Sequence, residues 1–301
     1  MNSQENWQNP NYEGAIEVTT NILKKGCVVG CKICPQSILI ERYQPEKNIM
    51  YLSFENFKTI LGKIPKTYRI DFCGYAEPFL NKDCMRMIKY ASDEGYNVAV
   101  YTTLVGVRLE DVEILARIPF KNWHPLCLHL PDHRGVANIK ITKKYREILE
   151  KLIDLKPSFL EYMAMGEIHP DVHDLVEKIE GYVKQQGFTP NTRASNAEEV
   201  NKAPRVSGSI MCGSYPRLNS GLVVIPNGDV QVCGMDFGLV NTFGNLIEGD
   251  FVSLFEGEGY KELRHLMAHD KGPEYDDRII CRHCEFACAA TPTEEDREVV
   301  L

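Results

Sequence analysis

From about residue 15 to residue 195, short β-rich runs alternate with amphipathic helical runs, and this alternation restricts the fold more than any other feature of the chain. Each helix in such a series is the crossover that returns the chain to begin a parallel neighbour, so repeated βα units dictate a parallel sheet. Strands are expected at 15–21, 68–74, 98–104, 126–130, 159–165 and 188–193, with helices at 54–64, 82–94, 109–118, 142–155 and 171–186. Ser53 suits the N-cap of the first helix, Pro65 ends it, and Gly95 and Gly187 close two others. A doubly wound open sheet would satisfy the same alternation, but the first strand leads into no glycine-rich dinucleotide fingerprint.

Instead the first strand leads into Cys27-Val28-Val29-Gly30-Cys31-Lys32-Ile33-Cys34. Three thiolates at this spacing can hold three corners of an iron–sulfur cube and leave the fourth iron open. An open iron is what a cofactor must reach if a cluster is to do chemistry, as a catalytic zinc keeps one position free. A zinc knuckle, or a disulfide with a spare cysteine, are the alternatives for the triad taken alone. In curved parallel sheets the active site lies at the C-terminal ends of the strands, which is where this loop falls.

The eleven cysteines are many for a chain with no secretory signal, and clustered thiols in a reducing compartment point to metal or redox chemistry. Eight of them fall in two groups, the triad and then Cys212, Cys233, Cys281, Cys284 and Cys288, with Cys73, Cys84 and Cys127 between. The net charge of -8 argues against a nucleic-acid backbone as the main partner. No apolar run approaches the roughly 20 residues that span a bilayer, so a cytoplasmic location and no membrane partner are expected.

After residue 196 the pattern changes. A polar stretch reads as a linker, and runs at 221–225 and 230–233 flank the turn Pro226-Asn227-Gly228-Asp229 as a hairpin. A helix is expected over 251–269, ahead of Cys281-x2-Cys284. Four of these cysteines can complete a closed [4Fe–4S] cluster or a structural zinc site. The boundaries drawn are a polar tail at 1–14, a barrel domain at 15–200, a linker at 201–208 and a cysteine-rich domain at 209–301.

The triad's C-x3-C-x2-C spacing resembles the signature of the radical S-adenosylmethionine (SAM) enzymes. Gly228-x4-Cys233, then Asn245-Leu246, a helix and Cys281-x2-Cys284 resemble the C-terminal extension of their SPASM/twitch subgroup. The resemblance implies an α/β fold, a partial (β/α)6 TIM-like barrel with a C-terminal auxiliary-cluster domain. It implies two [4Fe–4S] clusters, one on Cys27, Cys31 and Cys34 with SAM at its open iron, the other on Cys212, Cys233, Cys281 and Cys284. A full SPASM region uses about seven cysteines, so five suit the twitch form with one auxiliary cluster. An electron from the first cluster cleaves SAM to a 5'-deoxyadenosyl radical in this family, which implies an external reductant of the flavodoxin or ferredoxin type.

The resemblance implies further site residues. Asp71-Phe72-Cys73-Gly74-Tyr75-Ala76-Glu77-Pro78 resembles the family's Gly-Gly-Glu-Pro element, so Gly74, Glu77 and Pro78 are expected at SAM, Glu77 receiving its amino group. Tyr75-Ala76 departs from that element, and Ile33 stands where the family often has an aromatic residue. Gly166, Asn191 and Arg193 are further expected contacts. A strand-to-helix turn with Glu77 at the next helix start is the plainer reading of that carboxylate. Strand periodicity adds that Leu126, Leu128 and Leu130 share the outer face while Cys127 and His129 point inward, and that Asp71 and Cys73 share one face. His129, Asp132 and His133 form a group able to orient or deprotonate a polar substrate, or else a core histidine beside a solvated turn.

The expected function is hydrogen abstraction from a small hydroxylated substrate, sugar- or aminoglycoside-like, ending in oxidation or epimerisation. Cys288, Cys127 and Cys73 are the thiols available to quench a radical in the second case. A peptide maturase is the alternative enzyme, disfavoured because only 26 residues precede Cys27; a zinc or iron–sulfur scaffold or electron carrier is the non-enzyme alternative.

Overall fold

The computed structural model describes residues 14–44, 48–122, 124–179, 184–185, 192–197, 203–214, 218 and 220–291. Asn191 and the first 13 residues of the polar tail lie outside them. β1 (Gly14–Val18) runs into the cysteine loop and α1 (Gln36–Arg42). Next along the chain are α2 (Phe54–Leu61), β2 (Tyr68–Phe72), α3 (Cys84–Asp93), β3 (Val98–Thr102), α4 (Val112–Ala116) and β4 (Leu126–His129). Then come α5 (Lys143–Leu155), β5 (Leu160–Met163), α6 (His173–Val176) and β6 (Lys184–Gln185). Strands β1 to β6 are parallel neighbours in that order.

The elements form where local chemistry favours them. Ser53 Oγ accepts the Asn56 N–H at 3.1 Å and Thr142 Oγ1 accepts the Tyr145 N–H at 3.1 Å, so α2 and α5 both begin on side-chain caps. In the strands, Ile16, Val18, Ile70, Phe72, Val98, Val100, Leu126 and Leu128 all belong to one buried core beneath the helices. Each fully buried Leu or Ile there contributes roughly 1.5–3 kcal/mol. The alternate residues face the other way. Register sets Glu17 opposite Asp71, and Tyr101 opposite Cys127, which in turn faces Glu161. Polar groups therefore share the inner face, as period-two alternation requires.

Three expected elements differ. The sixth strand described is Lys184–Gln185; of the strand expected at 188–193, residues 188–191 lie outside the described residues. Arg193, Ala194 and Ser195 have φ of 50°, 51° and 64°, a left-handed run that no strand accommodates. The helix expected at 171–186 is a 3-10 turn, Pro170–Val172, followed by the four residues of α6. The helix expected at 251–269 is split into a 3-10 turn, Ser253–Phe255, and α7 (Glu258–Ala268), because Gly257 takes an extended conformation between them.

Beyond the linker lie β7 (Ile210–Cys212), β8 (Gly221–Val224), β9 (Asp229–Gln231), β10 (Thr242–Asn245) and, after α7, β11 (Ala287–Ala289). The hairpin of β8 and β9 is present, but it does not stand apart. β8 pairs in parallel with β1, setting Glu17 opposite Val223, and β9 and β10 continue the same nine-stranded sheet past it. A second apolar cluster seals this junction, with Leu39 of α1 and Tyr43 packed on Val223, Ile225 and Phe237. The cysteine loop is thereby seated on the C-terminal segment. No helix among the described residues is long and apolar enough to cross a membrane.

Candidate active site

The C-terminal ends of β1 to β5 open on a cavity of about 400 Å³, and the cysteine loop forms one of its walls. Gln36, the first residue of α1, ties that loop down. Its Oε1 accepts the Cys27 N–H at 2.9 Å, while its Nε2 donates to the Tyr75 carbonyl at 2.6 Å and faces Cys34 Sγ at 3.3 Å. All three thiols line the cavity. Backbone N–H groups of Glu77, Val29 and Gly30 point at the Cys27 sulfur, and that of Asn138 at Cys31. Burial pushes the Cys27 and Cys34 thiols up, and pushes Cys31 up to about 12, with repulsion from Cys34 and Cys27 adding to it. Three thiolates so placed need a cation among them, and an iron cluster meets that need.

Gly74 and Glu77 shape the opposite rim. Gly74 has φ of 96°, and a Cβ there would lie 2.2 Å from Thr19 Oγ1, the atom that accepts the Tyr75 N–H. Glu77 is buried, and its carboxylate is fully engaged within the protein. Oε1 accepts from Thr102 Oγ1 at 2.7 Å and Phe79 N at 3.2 Å; Oε2 accepts from Thr103 N at 2.7 Å and Thr103 Oγ1 at 2.5 Å. A carboxylate has about four acceptor positions, and here all are occupied. Glu77 therefore braces the turn at Pro78 onto the end of β3, capping it as the plainer reading of that carboxylate had it, and it also lines the cavity. Burial raises its pKa, and these four bonds oppose the shift.

Other expected residues divide. Cys127, His129, Pro78 and Arg193 line the cavity. Burial lowers the His129 pKa to about 4, Asp132 opposing and Arg193 assisting, so the ring is neutral near pH 7. Of the expected group of His129, Asp132 and His133, Asp132 lies within electrostatic reach of His129, but only His129 lines the cavity. Asp132 is buried and its carboxylate accepts from Val136 N at 2.9 Å and Ala137 N at 2.7 Å, while His133 is exposed. Gly166 lies in a separate surface depression with His133 and His173, and its neighbour Met165 reaches the cavity instead. Cys288 is exposed on β11, opposite Met211, and does not line the cavity.

The second cysteine group assembles through tertiary contacts. β11 pairs antiparallel with β7, which brings the 281–284 knuckle beside Cys212. Buried Arg282 pins that knuckle, donating to the carbonyls of Val206 at 3.0 Å, Gly208 at 2.8 Å and Leu266 at 2.6 Å. Burial raises the Cys281 thiol, with Cys212 and Cys284 adding repulsion, and raises Cys233, beside Cys281 and Cys284. Cys284 is pushed up to about 12, chiefly by burial. Among the described residues no three Cys, His, Asp or Glu side chains gather tightly enough for one metal ion. A single zinc draws its sulfurs to about 2.3 Å from one centre, whereas a cubane spreads them over four irons.

Cys233 belongs to both sites. It lines the cavity, and its carbonyl accepts from Tyr75 Oη at 3.0 Å. The Tyr75 ring packs edge-on to Phe237 with centroids 4.9 Å apart. Gln36, Tyr75 and Cys233 thus join the first cysteine loop to the second.

Sequence reasoning missed Glu17 and Tyr101, which line the cavity from β1 and β3. The signal was present in β1, where Glu17 is a lone charge between Ile16 and Val18 in a strand paired on both sides.

A parallel partial barrel thus carries a cysteine triad at its strand ends and a second cysteine group in its tail. Residues 212–285 match the family model of the SPASM iron–sulfur cluster-binding domain. Among solved structures, BtrN in complex with AdoMet and 2-DOIA is similar, with a TM-score of 0.55 and 17% identity over 94% of this chain and 96% of that one. Native anSMEcpe with bound AdoMet is also similar, with a TM-score of 0.50 and 12% identity over 91% of this chain and 88% of that one. The same protein bound to AdoMet and the Cp18Cys peptide gives a TM-score of 0.50 and 13% identity, over the same shares of the two chains. A comparison with curated proteins finds no match. The SPASM match thus covers the segment that holds Cys212, Cys233, Cys281 and Cys284, and the likeness to these structures extends over nearly the whole fold.

Proposed function

We propose that this protein is a radical SAM enzyme that oxidises a hydroxyl-bearing carbon of a small polar molecule. The observation that carries the reading is convergence. The cysteine triad, the inner polar face of the strands and Cys233 of the second group all line one cavity of about 400 Å³. That volume lies in the range of small-molecule sites. Cys27, Cys31 and Cys34 would hold the first [4Fe–4S] cluster, and Cys212, Cys233, Cys281 and Cys284 the second. With SAM bound, the first cluster supplies a 5'-deoxyadenosyl radical to the cavity.

The protein's own residues supply orientation. Arg69 holds Asp71 through Nε and through Nη2, the latter at 2.5 Å from Oδ2, giving a fixed dipole in the cavity wall. Tyr101, neutral His129 and Glu17 add donors and acceptors suited to hydroxyl groups. Oxidation is the reading taken because Cys233 places the second group at the cavity; of the thiols able to quench a radical, Cys288 does not line the cavity, while Cys127 and Cys73 do and carry the epimerisation alternative.

Protein reconstituted anaerobically, given dithionite, SAM and candidate polyols, should release 5'-deoxyadenosine and a ketone two hydrogens lighter than the substrate. An inverted product carrying solvent deuterium would replace oxidation by epimerisation, and turnover of a peptide alone would favour the maturase alternative. Cys288→Ala should leave product yield within about twofold of wild type, since surface changes away from such features cost little.

The reductant side is also marked. Lys24, Lys25, Lys32, Arg134 and Lys140 are exposed on and beside the cysteine loop of a chain with net charge -8. Lys32 Nζ donates to the Arg134 carbonyl at 3.3 Å, so these two residues are adjacent. An acidic carrier of the flavodoxin or ferredoxin type fits this patch. Its reduction rate should fall at least about tenfold between low salt and about 0.5 M salt, as screening of surface charge requires. Stopped-flow bleaching of the cluster reads this out; a salt-independent rate would place the docking surface elsewhere.

A further inference from the structure

Glu17 stands mid-strand in β1, half-buried, between Val223 of β8 and Asp71 of β2, and faces the cavity. The groups facing it come from several elements. Asp71 and Arg69 of β2 are engaged with each other. The Cys73 thiol is its hydrogen-bond partner, and Tyr75 and Arg193 lie within electrostatic reach. Arg193 Nη1 is 3.8 Å from Met235 Sδ, and its guanidinium carbon is 5.7 Å from the centre of the Phe237 ring. On the remaining side Gly234 presses close, where a Cβ would come within 2.7 Å of Glu17 Oε2. A side chain at 234 would push the carboxylate aside, so glycine there, next to Cys233, leaves it room.

Resting on the oxidation reading above, we infer that Glu17 is the catalytic base that takes the hydroxyl proton of the substrate radical, on the same wall from which its electron departs. Abstraction of the carbinol hydrogen breaks its C–H bond and leaves a carbon-centred radical that still bears the hydroxyl. Loss of the O–H proton to the Glu17 carboxylate and of one electron to an iron–sulfur acceptor at the Cys233 group then forms the C=O bond. Proton, electron and hydrogen atom together account for the two hydrogens removed. Deprotonation first makes the radical a far stronger reductant, so a base beside the electron acceptor speeds both losses.

The rival bases are weaker candidates. Asp71 is held by Arg69, and His129, lowered to about 4, is too weak to compete. Burial and the nearby Asp71 raise Glu17 to about 7, with Arg193, the Cys73 thiol and Arg69 opposing. The carboxylate form thus becomes dominant as pH rises through about 7, and protonation below that removes the base.

The experiment compares Glu17→Gln and Glu17→Asp with wild type as the full protein carrying both clusters. The ratio of ketone to 5'-deoxyadenosine should fall on the order of 100-fold in Glu17→Gln and partially in Glu17→Asp. The wild-type product rate should rise with pH through about 7 and flatten above it, a limb that Glu17→Asp keeps and Glu17→Gln loses. Infrared titration of the protein without SAM should show, in the difference between wild type and Glu17→Gln, a carboxyl band disappearing near pH 7, distinct from that of buried Asp236, which is raised to about 6 and common to both proteins. A product ratio within about twofold of wild type in Glu17→Gln, or no such band in wild type, overturns the assignment of Glu17. Absence of 5'-deoxyadenosine from wild type overturns the underlying reading instead, and the infrared titration then judges the carboxyl alone.

Discussion

Replacing Cys31 by alanine should abolish SAM cleavage and lower the iron content from about eight to about four per chain. The effect is expected to be complete because Cys31 is the middle ligand of three. Its sulfur interacts with both neighbours, since repulsion from Cys34 and from Cys27 contributes to its raised pKa. Two thiols cannot hold a cubane against a buried, desolvated loop. Cys27→Ala and Cys34→Ala should behave alike, with iron read by chemical assay and 5'-deoxyadenosine by chromatography. Changing Cys212 or Cys284 should instead remove the other half of the iron and spare SAM cleavage more than product formation. Loss of all iron in either set would mean that the two groups do not hold separate clusters.

The largest effect on stability is expected at Glu77. In Glu77→Ala, the hydroxyls of Thr102 and Thr103 and the N–H groups of Thr103 and Phe79 all lose their acceptor. Unsatisfied buried donors cost about 1–3 kcal/mol each, and with partial relaxation the sum should reach roughly 3–5 kcal/mol, at the severe end of single substitutions. Glu77→Gln should cost less, about 2–3 kcal/mol, because it keeps one acceptor oxygen while turning an NH2 group toward two donors. Denaturant midpoints measured without SAM isolate this structural role. If stability were unchanged and only SAM affinity fell, Glu77 would be a direct ligand of the ammonium group, as the motif suggested, and not a brace.

The strongest signals in the chain were local. Ser53 capped a helix three residues on, Leu126, Leu128 and Leu130 took one face of a strand, and the cysteine triad occupied a single turn-rich loop. Each depends on residues within a few positions of one another. The failures had the opposite character. Gly166 and Cys288 carried plausible residue types, yet the chain carries them to other surfaces. Asp132 is expected beside His129 and His133, and Glu77 at SAM or at the next helix start, and only the folded loops provide the N–H and hydroxyl groups that occupy both carboxylates. At the end of the strand expected over 188–193, Arg193 to Ser195 are drawn into a left-handed turn. There Glu285 accepts from Thr192 N at 2.6 Å, and Ser195 Oγ reaches the His283 carbonyl at 2.8 Å. That turn is held by the cysteine knuckle roughly ninety residues further on, a contact no local pattern encodes.

By itself the sequence determined the βα series, the placement of three thiols after the first strand, and a second thiol group in the tail, because spacing and periodicity are properties of neighbours. The tertiary structure alone decided that β8 lies against β1. Pairing strands some two hundred residues apart depends on which inner and outer faces fit, and it is this pairing that sets Gly234 and Cys233 beside Glu17. The cluster ligands were therefore legible in advance, while the carboxylate proposed to work beside them became visible only once the sheet had closed around it.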